Sequence, residues 1–248
     1  MGELSGKVAI VTGASKGIGA AIARAFGNAG AAVAVNYASS RADADRVVAD
    51  IVGAGGKAAA IQADVSRLAD VKRLVAETIA RLGPPSILVN NAGVFSFGPL
   101  EAVTSEDFHR QFDTNVLGAI LTTQETVKAF NGAGGSVINI STISSANPVP
   151  NSLVYSASKS AIDTITRALA NELAAKNVRV NAIAPGMTET EGFAALGLNL
   201  ETAKAMGAHL PMGRFGKPDD IAEVALFLAS DRSGWLTGER ISASGGQR

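Results

Sequence analysis

The segment STISSANPVPNSLVYSASK, residues 141–159, carries the side chains best suited to catalysis. It ends with Tyr155 and Lys159, which lie four residues apart on a predicted helix and therefore share a face. A free tyrosine has a pKa of about 10 and is a poor base at neutral pH, but a nearby ammonium favours the phenolate and is expected to lower that pKa. A tyrosine tuned in this way could donate a proton to a carbonyl oxygen and take it back in the reverse reaction.

Four hydroxyl side chains crowd the start of the same segment: Ser141, Thr142, Ser144 and Ser145. A hydroxyl beside the tyrosine could hydrogen-bond a carbonyl oxygen on which negative charge develops. Ser141 is expected to face away from Thr142, because neighbours on a strand alternate in direction. Thr142 and Ser144 stay open as candidates, and a threonine would add a methyl group and restrict χ1.

A glycine-rich turn, TGASKGIG at residues 12–19, follows the first predicted strand and opens a helix. Its glycines, Gly13, Gly17 and Gly19, permit a tight turn and a close approach of phosphate to main-chain N–H groups. The positive end of the following helix would favour the same phosphate. An ordinary strand-to-helix turn is the alternative interpretation.

The end of the second predicted strand, AVAVNYASSR, bears on the choice of cofactor. An acidic residue here would bind the ribose hydroxyls of NAD. Tyr37 stands about where that acid would fall, and no acid follows before Asp43. Donors suited to a 2′-phosphate are present instead, which favours NADP(H) over NAD(H): Lys16, Ser39, Ser40 and Arg41. Alternatively, Arg41 is only a solvated residue at the start of a helix.

The elements that must position these residues alternate between short apolar strands and longer helices. This order predicts one α/β domain over residues 1–248, with a parallel sheet and helices on both faces. Strands are predicted at 7–12, 32–37, 58–63, 86–90, 136–141, 178–184 and 239–244. Helices are predicted at 17–29, 40–54, 67–82, 105–130, 153–176, 201–207 and 218–230.

Composition excludes several function classes. Lys plus Arg (22) equals Asp plus Glu (22), so that no excess of positive charge points to nucleic acid or to an acidic membrane surface. The chain has no cysteine and two histidines, which excludes disulfides and thiolate catalysis and argues against a metal site. No apolar run approaches the roughly 18 residues of a membrane span, and the N-terminus does not read as a secretory signal. We therefore expect a soluble cytoplasmic protein.

Taken in order, the motifs TGASKGIG, NNAG (90–93), Asn115, YSASK (155–159) and PG (185–186) resemble those of a classical short-chain dehydrogenase/reductase. The chain is similar in particular to 3-oxoacyl-[acyl carrier protein] reductases and to related small-ketone and sugar dehydrogenases. The resemblance covers essentially the whole chain. It implies a seven-stranded parallel Rossmann sheet and a homotetramer.

The resemblance also implies roles for individual residues. The family's catalytic serine lies thirteen residues before the tyrosine, which makes Thr142 the first choice and Ser144 the second. Asn115 would break its helix and hold a water linked to Lys159, which itself would bind the nicotinamide ribose. Cofactor contacts are implied for Gly13, Ser15, Gly17, Ile18 and Gly19 at the pyrophosphate, Asp64 and Val65 at the adenine, Asn91, Ala92 and Gly93 at the adenosine ribose, and Pro185, Gly186, Thr188 and Thr190 at the nicotinamide.

The predicted substrate pocket is mostly apolar. It comprises Thr142 and Ser144 with Phe95, Val149, Leu153, Met187 and Phe193, and a lid is expected at about 187–210. Alternatively, these apolar residues pack on one another or across a subunit boundary. The sequence thus predicts an NADP(H)-dependent oxidoreductase that reduces a 3-oxoacyl-type or small ketone to a secondary alcohol. An NAD(H)-dependent sugar or polyol dehydrogenase is the second hypothesis. A non-catalytic nucleotide-binding relative is the third, although such proteins typically lose the Tyr–Lys pair.

Overall fold

A parallel sheet with helices on both faces forms the framework of the protein. The computed structural model describes residues 2–130, 132–190 and 205–247. The sheet has the strand order β3-β2-β1-β4-β5-β6-β7, and all of its neighbouring strands are parallel. The strands are β1 (Val8–Val11), β2 (Ala32–Tyr37), β3 (Lys57–Gln62), β4 (Ile87–Asn90), β5 (Gly135–Ile140), β6 (Val178–Pro185) and β7 (Arg240–Ala243). The predicted seven-stranded parallel Rossmann sheet is confirmed.

The helices cover the sheet because its central strands are apolar on both faces. Phe26, Ile51 and Leu228 belong to a core cluster on one face, and Leu74 and Leu173 belong to a cluster on the other. The helices are α1 (Gly17–Asn28), α2 (Arg41–Gly53), α3 (Leu68–Leu82), α4 (Ser105–Phe112), α5 (Gly118–Ala129), α6 (Leu153–Leu173) and α7 (Pro218–Ala229). Within the described ranges, no helix has the length and apolar character needed to cross a membrane.

The helix predicted over 105–130 is interrupted in the structure. A π-helical turn, Asp113–Leu117, separates α4 from α5. This turn contains Asn115, at the place where the resemblance implied a break in helix geometry. The helix predicted at 201–207 lies largely outside the described residues, and the chain is helical at 205–208. The other predicted elements begin and end within a few residues of the observed ones.

A ladder of buried polar side chains crosses the middle of the sheet. The Asn90 Nδ2 group on β4 donates to Asn139 Oδ1 on β5 at 2.9 Å and lies 2.9 Å from the Thr123 hydroxyl. In turn, Asn139 Nδ2 donates to Thr166 Oγ1 on α6 at 2.8 Å. Each of these residues is at most 7% exposed, so each polar group depends on its partner rather than on water. The ladder fixes the positions of α5 and α6 against the two strands that lead into the site described below.

We expect Asn139→Ala to lower the free energy of unfolding by about 1–3 kcal/mol, because it removes one buried hydrogen-bond partner from the Asn90 amide and one from the Thr166 hydroxyl. Asn28→Ala is the matched control, since Asn28 is exposed at the end of α1 and should change stability by less than about 0.5 kcal/mol. Urea unfolding followed by circular dichroism measures both. Equal effects of the two substitutions would contradict the role of the ladder.

Candidate active site

The segment that follows β5 turns back over the carboxyl edge of the sheet and leads into α6. Thr142 caps a short 3-10 turn, Ile143–Ser145, by accepting a hydrogen bond from the Ser144 N–H at 3.3 Å. Tyr155 lies in the first turn of α6, and Lys159 follows one turn later. The strand end and the helix start therefore bring Thr142 and Tyr155 to the wall of one cavity, close enough for the Thr142 hydroxyl to act on the pKa of the phenol.

Lys159 is almost completely buried, with 5% of its surface exposed. Its ammonium donates a hydrogen bond to the main-chain carbonyl of Ile140 at 2.7 Å. Burial lowers the pKa of Lys159 to about 8, against an opposing effect of the Asp163 carboxylate. A lysine with this pKa still carries its charge at neutral pH, at a point directly behind the tyrosine.

The pKa of Tyr155 differs from the sequence expectation. Lys159 was expected to lower it, whereas burial raises the pKa of the phenol and the hydrogen bond from Thr142 opposes that effect only in part. The desolvation of a phenolate in this apolar setting outweighs the favourable interactions. Tyr155 is therefore held as a neutral phenol, which is the proton-donating form.

The hydroxyls of the segment have separate environments. Thr142 Oγ1 and Ser144 both face the cavity that contains Tyr155. Ser141 is buried and does not line this cavity, and its hydroxyl has no hydrogen-bond partner among the described residues. Ser145 instead approaches Asp163 and the carbonyl of Thr142. Of these hydroxyls, that of Thr142 acts on the pKa of Tyr155.

Asn115 holds the chain that follows the NNAG motif. Its Oδ1 atom accepts from the Val94 N–H at 2.8 Å, and its Nδ2 group donates to the Val94 carbonyl at 2.9 Å and to Ser158 Oγ at 3.0 Å. A Cβ atom at Gly93 would lie 3.3 Å from Asn115 Oδ1 and 3.5 Å from Lys159 Nζ. The predicted Asn–Lys–Tyr grouping is thus adjacent in space, with Asn115 and Lys159 behind the cavity wall.

A cavity of about 550 Å³, which we call the turn cavity, lies against the glycine-rich turn and the start of α1. Gly13 and Gly17 have positive φ values of 60° and 54°, which only glycine adopts readily. The cavity is lined by many of the predicted cofactor residues: Gly13, Ser15, Lys16, Gly17, Ile18, Gly19, Ser39, Asp64, Val65, Asn91, Ala92, Gly93 and Thr190.

Two asparagines hold the glycine turn open. Asn36 Oδ1, at the end of β2, accepts from the Gly13 N–H at 3.1 Å, and its amide group donates to the Ala63 carbonyl at 3.1 Å. Asn91 Nδ2 donates to the carbonyls of Thr12 and Gly13 at 2.9 and 3.0 Å. The sequence analysis missed Asn36, and its polar side chain within an otherwise apolar strand was the available signal.

The region expected to receive a 2′-phosphate contains the carboxylate of Asp43. The sequence analysis counted Asp43 as lying beyond this region. Asp43 Oδ2 lies 3.2 Å from Lys16 Nζ and also pairs with Arg46, and these bonds hold the pKa of Asp43 below its ordinary value. Arg41 pairs with Asp45 and points to solvent. Tyr37 is buried in the core at 7% exposure, so that neither it nor Arg41 lines the turn cavity.

A second cavity of about 620 Å³, the tyrosine cavity, opens beside Tyr155. It shares Phe95 and Thr190 with the turn cavity, which makes the two spaces contiguous. Phe95 and Phe97 place their rings 6.1 and 5.8 Å from that of Tyr155, in edge-to-face geometry. The other lining residues are Thr142, Ile143, Ser144, Val149, Gly186, Met187, Leu210, Pro211, Gly246 and Gln247.

The remaining predicted residues lie elsewhere. Leu153 lines a neighbouring cavity of about 270 Å³ instead, because the first turn of α6 directs it away from Tyr155. Pro185 is the last residue of β6, and the Thr188 hydroxyl donates to the Gly186 carbonyl at 2.9 Å, so that neither lines the two larger cavities. Phe193 and most of the expected lid at 187–210 lie outside the described residues.

The C-terminal tail contributes a pocket residue that the sequence analysis missed. Gln247 lines the tyrosine cavity, and its Oε1 atom accepts from the Met187 N–H at 2.8 Å. A Cβ atom at Gly186 would lie 2.4 Å from that oxygen, so the glycine is needed for this contact. Nothing in the local sequence GGQR indicated that the chain returns to the site. Among the described residues, no cluster of histidine and acidic side chains could hold a metal ion.

Comparison with known proteins agrees with this geometry. The family model described as enoyl-(acyl carrier protein) reductase matches residues 13–248. An oxidoreductase of Methylorubrum extorquens is 52% identical over 100% of both chains, and versicolorin reductase 1 of Aspergillus parasiticus is 42% identical over 98% of this chain and 97% of its own. A solved 7α-hydroxysteroid dehydrogenase, complexed with NADH and 7-oxo glycochenodeoxycholic acid, is 36% identical with a TM-score of 0.93, over 98% of this chain and 94% of that one.

The chain therefore belongs to the short-chain dehydrogenase/reductase family, as its motifs indicated. Membership implies an oxidoreductase that binds a nicotinamide dinucleotide, either NAD(H) or NADP(H). The turn cavity fits such a group, because the glycines at the start of α1 leave room beside free main-chain N–H groups for a pyrophosphate.

We expect Gly19→Ala to weaken dinucleotide binding by about tenfold or more, equivalent to about 1.4 kcal/mol. The new Cβ would lie 2.3 Å from Asn91 Nδ2 and 2.6 Å from the Gly13 carbonyl, and would force the turn apart. Gly53→Ala is the control, since nothing lies within 4 Å of a Cβ at that helix end. Isothermal titration calorimetry measures both affinities. An unchanged affinity in Gly19→Ala would contradict the placement of the dinucleotide in the turn cavity.

Proposed function

We propose that this protein is an NADP(H)-dependent reductase that converts a ketone with an apolar body into a secondary alcohol. The observation that carries the proposal is the position of the Tyr155 phenol, beside Thr142 in the tyrosine cavity, which is contiguous with the turn cavity. One cavity suits a dinucleotide and the other suits its reaction partner. A proton donor and a second hydroxyl line the second cavity.

Tyr155, Thr142 and Lys159 have different roles in this reaction. When bound in the turn cavity, the nicotinamide dinucleotide supplies the hydride equivalent. Tyr155 donates the phenolic proton to the carbonyl oxygen, and the Thr142 hydroxyl hydrogen-bonds the same oxygen as negative charge develops there. Because Lys159 keeps its positive charge at neutral pH, it stabilises the phenolate that remains on Tyr155.

Asn115 and Gly93 lie next to Lys159. The amide of Asn115 holds the main chain at Val94, and Gly93 brings that chain next to the Lys159 ammonium. In the reverse direction, the same phenolate would take the proton back from an alcohol. Phe95 and Phe97 pack their rings beside Tyr155 and form part of its apolar surroundings.

The tyrosine cavity supports a ketone with an apolar body rather than a sugar. Its walls are formed mainly by Phe95, Phe97, Val149 and Met187, and its volume of about 620 Å³ exceeds the needs of a two- or three-carbon ketone. Within the described residues, no lysine or arginine lines it, so nothing there would select a phosphate or carboxylate. The names of the versicolorin reductase and hydroxysteroid dehydrogenase relatives point to similarly large substrates.

The assay that tests this proposal follows the loss of NADPH absorbance with a panel comprising a bicyclic aryl ketone, a 3-oxoacyl ester and a ketose. We expect turnover with the first two, and a decrease of about 10²–10⁴-fold in kcat for Tyr155→Phe with unchanged NADPH affinity. Thr142→Ala should lower kcat by about 10²–10³-fold, while Thr142→Ser keeps most of the rate because the hydroxyl remains.

Ser144→Ala is the matched control for the hydroxyl assignment, because Ser144 faces the same cavity without contacting Tyr155. A large loss in Ser144→Ala with little loss in Thr142→Ala would transfer the role to Ser144. Exclusive turnover of the ketose would support a sugar dehydrogenase instead. Normal turnover in Tyr155→Phe would overturn the proposal.

The cofactor preference rests on Lys16 and Ser39 at the turn cavity, opposed by Asp43. We expect a higher kcat/KM with NADPH than with NADH, because Lys16 can pair with a 2′-phosphate. Asp43→Asn should release Lys16 and lower the KM for NADPH by about two- to fivefold, the size of an exposed ion-pair effect, without changing that for NADH.

Asp50→Asn is the control for that substitution, since Asp50 lies on the same helix and pairs with Arg24 away from the turn cavity. A preference for NADH with no response to Asp43→Asn would favour the NAD(H)-dependent alternative. Two observations favour the NAD(H)-dependent alternative. They are the Asp43–Lys16 pair and the NADH in the solved hydroxysteroid dehydrogenase.

A further inference from the structure

A buried ion pair lies behind the catalytic segment and has no role in the chemistry described so far. Arg240 on β7 places Nε 2.9 Å from Asp163 Oδ2 on α6, and the two side chains are 22% and 9% exposed. These residues are separated by 77 positions in the sequence. Removing charges from water opposes folding until their attraction offsets the loss of hydration, so apolar side chains would make a merely structural contact at less loss of stability.

The pair reaches Thr142 through its main chain. Arg240 Nη2 donates to the Thr142 carbonyl oxygen at 2.9 Å. Ser145 Oγ lies 2.8 Å from the same oxygen and 2.5 Å from Asp163 Oδ2, while Arg240 Nε lies 3.2 Å from Ser145 Oγ. Since a serine has one hydroxyl proton, it can serve only one of its two acceptors at a time. The guanidinium is therefore the constant donor to Thr142.

Holding this carbonyl constrains the hydroxyl on the same residue. Thr142 has an extended backbone, with φ −161° and ψ 158°, at the point where the strand passes into the 3-10 turn. Fixing the direction of its carbonyl fixes ψ and hence the direction of the Cα–Cβ bond. A β-branched side chain has few χ1 choices, so the direction of Oγ1 follows from that of the backbone.

We propose that Arg240 and Asp163 are positioning residues for the reaction: their buried ion pair holds the Thr142 carbonyl and thereby aims the Thr142 hydroxyl at the oxygen beside Tyr155. Arg240 suits the task because its planar fork can bind a carboxylate and a carbonyl at once, which an ammonium cannot do in a fixed geometry. Asp163 also stands one helical turn from Lys159 and contributes a negative charge to its surroundings. The proposal rests on the role given to Thr142 above.

The decisive experiment is a double-mutant cycle between Arg240→Lys and Thr142→Ala. Arg240→Lys keeps a positive charge near Asp163 and avoids leaving that carboxylate unpaired. It removes the planar guanidinium that binds the carboxylate and the Thr142 carbonyl at once. We expect it to lower kcat by about tenfold or more in the natural background, since small displacements of reacting groups cost this much, with little change in the KM for NADPH. In the Thr142→Ala background, where no hydroxyl remains to be aimed, the same change should lower kcat by less than about twofold.

Two further variants separate positioning from folding. Ser242→Ala removes another contact of the same guanidinium, Nη1 to Ser242 Oγ at 3.1 Å, and should leave kcat and the melting temperature unchanged. The double variant Asp163→Asn with Arg240→Gln removes both charges without leaving either one unpaired. We expect it to fold cooperatively, as seen by circular dichroism, and to be about as slow as Arg240→Lys or slower.

The outcomes distinguish this proposal from the function on which it rests. Equal losses from Arg240→Lys in both backgrounds, or no loss in the natural background, would overturn the positioning role while leaving the reductase intact. A Thr142→Ala variant with full activity would overturn the hydroxyl assignment and the positioning role together. Loss in the natural background that disappears without the Thr142 hydroxyl supports the proposal, because a structural defect would persist in both.

Discussion

The site is organised around one buried charge, the ammonium of Lys159. With 5% of its surface exposed, this group must find its partners within the protein, and the Ile140 carbonyl supplies one at 2.7 Å. That bond joins α6 to the end of β5 and so fixes Tyr155 and Thr142 relative to each other. Gly93 is a close neighbour of the ammonium, since a Cβ there would lie 3.5 Å from Nζ. The helix, the strand end and the loop after β4 are thus all constrained by where one charge can be accommodated.

Three asparagines hold the loops at the carboxyl edge of the sheet. Asn36 binds the Gly13 N–H, Asn91 binds the carbonyls of Thr12 and Gly13, and Asn115 binds both main-chain groups of Val94. A primary amide suits this task because it offers a donor and an acceptor in one plane and carries no charge. A carboxylate in these places would repel the phosphates of a dinucleotide. The glycine turn and the loop after β4 are therefore held by neutral side chains.

The sequence predicted the elements well where a single periodicity governs them. The strands and most helices follow from apolar runs, because a strand such as VAIV at 8–11 is buried on both faces. The motifs also located Tyr155, Lys159 and the glycine turn. Local sequence could not reveal contacts between distant segments, such as Arg240 with Thr142 or Gln247 with Met187. Tyr37 was misleading for a related reason: its position along β2 was foreseen, but only the fold shows that its side chain enters the core.

The two shifted pKa values define the protonation state in which the site is held. Burial raises the pKa of Tyr155 and lowers that of Lys159 from 10.5 to about 8. Between about pH 8 and 10.5 the unfolded chain keeps the lysine proton that the folded chain releases, so the contribution of Lys159 to stability rises with pH across that window. Below about pH 8 both states are protonated, and the full cost of burying the charge opposes folding. At neutral pH the fold thus retains a neutral phenol beside a charged ammonium at the expense of stability, and the Asp163 carboxylate reduces that expense by raising the pKa of Lys159.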